Sequence, residues 1–306
     1  MSAPAPPTAA TRPASGTRRR RGSPWGYLFA LPHGLGFALF TLLPIIIAIV
    51  MGTYDWPMLG ERVFIGVGNF VQLIQDPNFQ AATRNTVLFV VAYLPLNLIV
   101  STGMALWISP KIRGRQFFRV LFFIPTVTPI VANVVVWRML YQQGGVIDYA
   151  ITTLTGRNAP NFLGDENWAL LAIVFMTVWQ GFGYNMLVFS AALDAVPESM
   201  TEAAAIDGAS AWRIFWSVRL PMVTPSVFFA TTMTLITSFQ VFAQPFIMTR
   251  GGPGNSTVTM VHYIYNQGFR YSNLGLASAG ATILFSIIVV ITAIQFLGQK
   301  KWVHYE

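Results

Sequence analysis

Long apolar runs along this chain are separated by short polar intervals. A bilayer-spanning helix needs about 20 mostly apolar residues, and six stretches meet that length: 27–53, 85–109, 117–141, 168–193, 221–244 and 274–297. The fifth is the least apolar, being rich in Thr and Ser. The fold class this predicts is an all-α integral membrane protein with six transmembrane helices. Proline falls inside several of the spans, at Pro44, Pro95, Pro125 and Pro129. Each removes a backbone donor and bends its helix. Such breaks suit a gated pathway, and ordinary membrane helices also tolerate them where neighbours satisfy the freed carbonyls.

Composition agrees with this pattern. Only 10% of the 306 residues are charged and 54% are apolar, too few charges to coat a soluble body of this size, since soluble domains carry about 25%. Residues 1–24 contain almost nothing large and apolar and carry Arg at each of positions 18–21, so a disordered basic tail is expected there. The apolar run that follows is longer than the core of a signal peptide and lacks a clear cleavage site; it reads as a retained first span.

Net charge is +8, and its distribution matters more than its size. With the N-terminus inside, thirteen of the nineteen Lys and Arg residues fall on the inner side: Arg12, those at 18–21, Lys111, Arg113, Arg115, Arg119, Arg213, Arg219, Lys300 and Lys301. Five fall outside, and Arg138 lies within the third span. Basic residues gather in cytoplasmic loops, so both termini are expected in the cytoplasm, as are the interval 198–220 and a tail at 299–306. No basic patch interleaves with aromatics on a soluble domain, which argues against nucleic acid as a partner.

Candidate chemistry is narrow. There is no cysteine, so thiolate catalysis and cysteine metal sites are excluded. His33, His262 and His304 are too scattered for a histidine metal cluster. No G-x-x-x-x-G-K-[ST] phosphate loop, H-E-x-x-H or G-x-S-x-G occurs. All eleven acidic residues lie in loops, tails or span ends, which leaves no buried carboxylate for a proton relay. Spans four and five instead carry neutral hydrogen-bonding groups, among them Thr177, Gln180, Tyr184, Asn185, Thr234, Thr237, Ser238, Gln240 and Gln244, beside Trp179, Phe182 and Phe239. Uncharged donors beside aromatic faces suit a neutral polyhydroxyl solute such as a sugar; they equally suit hydrogen bonding between helices. Arg138 can pair with an anionic solute or snorkel to the interface.

The interval between spans four and five is the most organised polar stretch. Ser199 and Glu202 have capping-box spacing, an alanine-rich helical run follows, and Gly208 stands where a left-handed residue would stop that helix. Ser210 can cap a second, amphipathic helix bearing Trp212, Phe215 and Trp216, with Pro221 marking its end. Asp194, Glu198, Glu202 and Asp207 would face an anionic leaflet if this segment merely rested on lipid. Docking to a protein partner fits better.

Here the residues resemble a family. Glu202, Ala203, Ala204, Gly208, Val218, Leu220 and Pro221 follow the pattern E-A-A-x3-G-x9-I-x-L-P, with valine for isoleucine. That pattern is the cytoplasmic loop of permease subunits of binding-protein-dependent ABC importers, and Gly251, Gly252 and Pro253 are similar to a turn of the carbohydrate (maltose and glycerol-3-phosphate) branch. The resemblance implies a type I importer permease fold, with a first helix and outer loop over 25–80, a permease core over 81–298 and a coupling helix within 198–220. It implies that Glu202, Ala203, Ala204, Asp207, Gly208, Leu220 and Pro221 couple to an ATPase. It further implies a solute lining at Thr177, Gln180, Gly181, Tyr184, Thr234, Thr237, Ser238 and Gln240. The chain would hold no cofactor itself, ATP and Mg being bound by partner subunits. The expected partners are membrane lipid, a second and usually different permease, two ATP-binding cassette ATPases and an extracytoplasmic solute-binding protein in a bacterial cytoplasmic membrane. The solute would be a sugar or a glycerol phosphate or its diester. A gradient-driven carrier and a membrane-bound transferase are the alternatives.

Overall fold

The computed structural model describes residues 24–108, 112–301 and 303. Residues 1–23 of the expected basic tail lie outside the described residues, and Pro24 opens the first helix. The chain divides into two units at residue 47. The first is α1 (Pro24–Phe37), a π-helical turn (Ala38–Leu42) and the start of α2 (Leu43–Met51), apolar and mostly exposed over 28–47.

The second unit opens with a small antiparallel pair, β1 (Tyr54–Asp55) and β2 (Val63–Phe64), then α3 (Gly68–Gln75) and the long α4 (Pro77–Trp107). Next come α5 (Arg115–Val127), α6 (Ile130–Tyr141), α7 (Val146–Thr155) and α8 (Glu166–Asp194). The remainder is α9 (Glu198–Ile206), α10 (Ala211–Ile214), α11 (Leu220–Phe239), α12 (Ala243–Met248), α13 (Met260–Tyr265) and α14 (Leu274–Gly298).

Among the described residues five helices are long and apolar enough to cross a membrane, and a sixth is reached if α5 and the α6–α7 arm form one bent span. The third expected span is therefore not a single helix over 117–141: the chain turns by 95° between α5 and α6. Proline causes the break. Pro129 forces Thr128 out of the helical region, to φ −70° and ψ 136°, and has no amide to donate. Asn133, buried in the next turn, donates its Nδ2 to the freed Pro125 carbonyl at 3.0 Å. The break is thus satisfied within protein, as an irregular backbone inside a membrane must be.

Helix starts follow capping rather than hydropathy. Asp76 accepts from the Asn78 amide at 2.8 Å and Pro77 occupies the first helical position, so α4 begins well before the apolar run does. Asp165 and Asn273 cap α8 and α14 in the same way.

α4 and α8 form the centre, packed along their length, with α5, α6 and α11 against them. One end of the bundle carries Arg115, Arg119, Arg213 and Arg219 and is called the basic end; the other carries the β pair and α12–α13. At that far end Asn69 donates to the carbonyls of Gly52 at 3.0 Å and Tyr54 at 2.8 Å. A side chain at Gly275 would collide with the Tyr54 carbonyl, so glycine is what lets α14 pack there. The Tyr263 hydroxyl donates to Asp76 Oδ2 at 2.5 Å; burial and then the carboxylate's charge push its pKa above the ordinary tyrosine value. His262 is buried beneath the 250–254 turn with Nδ1 unpartnered. Burial, and then the charge of Arg270, hold its pKa below the usual value.

Candidate functional site

Two places carry the sequence-derived site residues: a cavity among the central helices and the segment at the basic end. The cavity has a volume of 350 Å³, at the small end of the range of ligand pockets, about 300–1,000 Å³. It sits where α11 gives way to α12. The helix ends at Phe239, Gln240 and Val241 bond back to Ser238, and Phe242 leaves the helical region before α12 begins. A broken helix of this kind places irregular backbone beside a polar space.

Phe89 and Tyr93 of α4, Ile130 of α6 and Thr177 of α8 line the cavity, with Thr237, Ser238, Gln240, Phe242 and Gln244 around the break. None of the lining residues is charged. Thr177, Thr237 and Ser238 each donate their proton to a carbonyl of their own helix, at 2.7, 3.0 and 2.8 Å. Their oxygens are left as acceptors, while the amides of Gln240 and Gln244 supply donors. Phe89 stacks on Tyr93 at 5.3 Å, and Phe242 on Phe246 at 4.9 Å. Acceptors, amide donors and flat aromatic faces together can hold a polyhydroxylated ring by its hydroxyls and its C–H face.

Of the eight residues proposed for a solute lining, Thr177, Thr237, Ser238 and Gln240 are thus brought together. The other four sit elsewhere. Gly181 makes room for the Tyr93 hydroxyl, which any side chain there would meet. Gln180 has Oε1 buried without a partner, and its carbonyl accepts from Thr126 Oγ1 at 2.8 Å. Tyr184 is exposed, two turns along α8 from Thr177, and does not line the cavity. Thr234 accepts from Asn185 Nδ2 at 2.8 Å.

That last bond belongs to a buried network. Asn185 also donates to Asn97 Oδ1 at 2.7 Å, Asn97 donates to the Tyr93 hydroxyl at 3.4 Å, and Ser101 reaches the Phe182 carbonyl at 3.0 Å. It joins α4, α8 and α11 beside the cavity. Sequence reasoning missed Phe89, Tyr93, Ile130 and Phe242 as lining, and Asn97 and Ser101 as network members. A signal was present: Tyr93, Asn97 and Ser101 recur every four residues in a largely apolar span, one helical face.

At the basic end α9 is a short helix with Glu202, Ala203, Asp207 and Gly208 exposed and Ala204 half-buried. Gly208 has φ +78°. The Ala209 amide bonds to the Ala204 carbonyl and the Gly208 amide to Ala205, both at 3.0 Å, the paired bonds of a Schellman stop. Ser210 Oγ then accepts from the Arg213 amide at 3.3 Å and starts α10. Ile206 is 86% and Trp212 71% exposed, large apolar surface left open even though Trp212 meets Trp216 edge-on at 5.5 Å.

Three expectations for this segment are corrected. The capping box does not form: the helix begins at Glu198 with Pro197 before it, and no side chain caps it. Pro197 fixes the entry two residues earlier, which leaves Ser199 inside the helix. The second helix does not end at Pro221, because residues 211–239 run on as one helix. A π-helical turn at Phe215–Arg219, in which the Leu220 amide bonds to the Phe215 carbonyl, absorbs the crowding of the proline ring. Leu220 and Pro221 are consequently half-buried at the root of α11. Finally, Asp194 does not stand free among the acids of the segment, since Arg115 and Arg119 both bind it. Among the described residues no group of three or more His, Cys, Asp or Glu is placed to hold a metal.

Residues 97–303 match the family described as binding-protein-dependent transport system inner membrane component. The chain is 33% identical over 276 residues to the lactose transport system permease protein LacF of Rhizobium radiobacter, covering 89% of this chain and 92% of that one. It is also 33% identical over 289 residues to the sn-glycerol-3-phosphate transport system permease protein UgpA of Agrobacterium fabrum, covering 91% and 96%. In fold it is similar to a chain of a bacterial alginate ABC transporter solved with an alginate pentasaccharide-bound periplasmic protein. The TM-score is 0.77 at 19% identity, over 90% of this chain and 94% of that one.

Proposed function

Since this chain belongs to the family of binding-protein-dependent transport system inner membrane components, we propose that it is the permease subunit of an ATP-driven importer for a sugar or sugar phosphate, working in a bacterial inner membrane. The observation that carries the solute class is the uncharged cavity at the α11–α12 break, with Thr177, Thr237, Ser238 and Gln240 beside aromatic faces. Lactose in the name of one relative supports a neutral sugar, and glycerol-3-phosphate in the name of another supports a phosphorylated solute. A phosphorylated solute would find no cation among the lining residues, so the cavity's chemistry favours a neutral sugar.

Energy enters elsewhere. The exposed α9, with Glu202, Ala203, Ala204, Asp207 and Gly208, is read as the coupling helix that seats in an ATPase subunit, and Leu220 and Pro221 as the root that carries its movement into α11. A second permease, two ATPases and an extracytoplasmic binding protein complete the assembly, with both termini in the cytoplasm. ATP and Mg are held by the ATPases.

The test is solute-stimulated ATP hydrolysis by the reconstituted complex. Its binding protein is presented empty or with lactose, a short oligosaccharide or glycerol-3-phosphate. Stimulation by a neutral sugar is expected. Stimulation by glycerol-3-phosphate alone would overturn the neutral-sugar assignment.

A further inference from the structure

The coupling segment meets the rest of the chain at a weak point. Only Ala195, Val196 and Pro197 separate the end of α8 from α9, and a cavity of 830 Å³ opens there, lined by Glu198, Glu202 and Arg219 among others. The packing of α9 on the rest of the chain runs through α10 and the π-helical turn, and not along α8. What is fixed is the last residue of α8. Arg115 binds both carboxylate oxygens of Asp194. Arg119, one turn further along α5, binds Asp194 Oδ2 at 2.9 Å and also Ser190 Oγ.

The same two helices are joined again nearer the cavity. Thr126 Oγ1 donates to the Gln180 carbonyl at 2.8 Å, and a side chain at Gly183 would strike the Phe122 carbonyl. Thus α5 and α8 are bonded at both ends and pressed together between them. Each leads to the cavity wall, α8 through Thr177 and α5 through Ile130 just past the Pro129 break.

We propose that Asp194 is a positioning residue for transport: clamped by Arg115 and Arg119, it makes α5 and α8 one strut. Movement that α9 passes to the end of α8 then reaches both cavity walls and is not taken up by α8 alone. The inference rests on the reading of α9 as the coupling helix. The ion pairs are partly exposed, with side chains 21–33% accessible, and exposed pairs add little to stability. The clamp's effect is accordingly on transmission more than on folding.

The chain contains no cysteine, so a single Ala243→Cys gives a reporter unique within this subunit, on the cavity wall, and its label is read on this subunit's own band. In the full complex its labelling rate by a membrane-impermeant maleimide is measured with and without ATP and vanadate. The complex otherwise unchanged is expected to show a nucleotide-dependent rate. Asp194→Asn should shrink that response by about two- to thirtyfold, the range for substitutions along a coupling route, with the ATPase still bound. Asp194→Glu should retain it, and Arg115→Gln, which leaves Arg119 in place, should fall between. An undiminished response in Asp194→Asn overturns the proposal. If Asp194→Asn fails to assemble, the pair Arg115→Gln with Arg119→Gln breaks the clamp from α5, and an undiminished response there overturns it equally. If the complex lacking any clamp substitution shows no nucleotide-dependent rate, the coupling reading itself fails and takes the strut with it.

Discussion

Gly208 separates two reasons for a glycine. Its φ of +78° lies in the left-handed region, where an L-residue costs about 1–2 kcal/mol. Within this chain a Cβ there would meet nothing within 4 Å. Replacement by Ala should thus loosen the end of α9 by that strain alone, about 5- to 30-fold in the balance between capped and frayed forms. Asn tolerates the left-handed region and should nearly restore the cap. If the position mattered only as a helix stop, Gly208→Asn would work and Gly208→Ala would be impaired. A partner pressed against this backbone gives a different pattern: Ala and Asn both lose ATPase binding, and Gly208→Asp abolishes uptake. Chain level in the membrane should stay normal throughout. The assay is copurification of the ATPase subunit together with ATP-dependent uptake. Normal uptake in Gly208→Asp would refute close docking at this corner.

The other perturbations act inside the bundle. Gln240→Ala should raise the solute concentration for half-maximal stimulation of ATP hydrolysis by about two- to twelvefold, the loss of one neutral hydrogen bond, with ATPase binding unchanged. Asn185→Ala removes the donor to Thr234 Oγ1 and the shorter of two donors to Asn97 Oδ1, leaving the 3.4 Å bond from Ser101, and should lower stability in detergent by about 1–3 kcal/mol, read as a fall in Tm. Gly275→Ala forces a methyl onto the Tyr54 carbonyl and should cost about 1–3 kcal/mol as overpacking. His262 is held neutral by burial and Arg270, so the unfolded chain binds the extra proton first. Stability should be full above the ordinary histidine pKa and fall as pH drops below it, and His262→Gln should flatten that dependence.

Apolar run length was enough to place the long helices, because spanning a bilayer is a demand each segment meets alone. The stop at Gly208 and the cap at Ser210 were equally legible, since both are satisfied within a few residues. The bend between α5 and α6 was half legible: Pro125 and Pro129 announced a break, and its size depends on Asn133 accepting the task of satisfying the Pro125 carbonyl. Pro221 misled, because whether a proline ends a helix depends on what precedes it, here a π-helical turn. The cavity was legible from polar residues on α8 and α11 only in part. Phe89 and Tyr93 come from α4, where the only mark of their face is the four-residue spacing that Tyr93 shares with Asn97 and Ser101. The partnership of Asp194 with Arg115 and Arg119 joins positions far apart in sequence, and nothing local to the acidic residue signals it.

The central claim is that solute passage through this subunit is driven by ATP hydrolysed in a partner. Purified complex in proteoliposomes, supplied with loaded binding protein outside and ATP inside, should accumulate labelled solute. Accumulation should stop when ATP is replaced by a nonhydrolysable analogue, whatever ion gradient is imposed. Accumulation driven by a proton or sodium gradient without ATP would contradict the account.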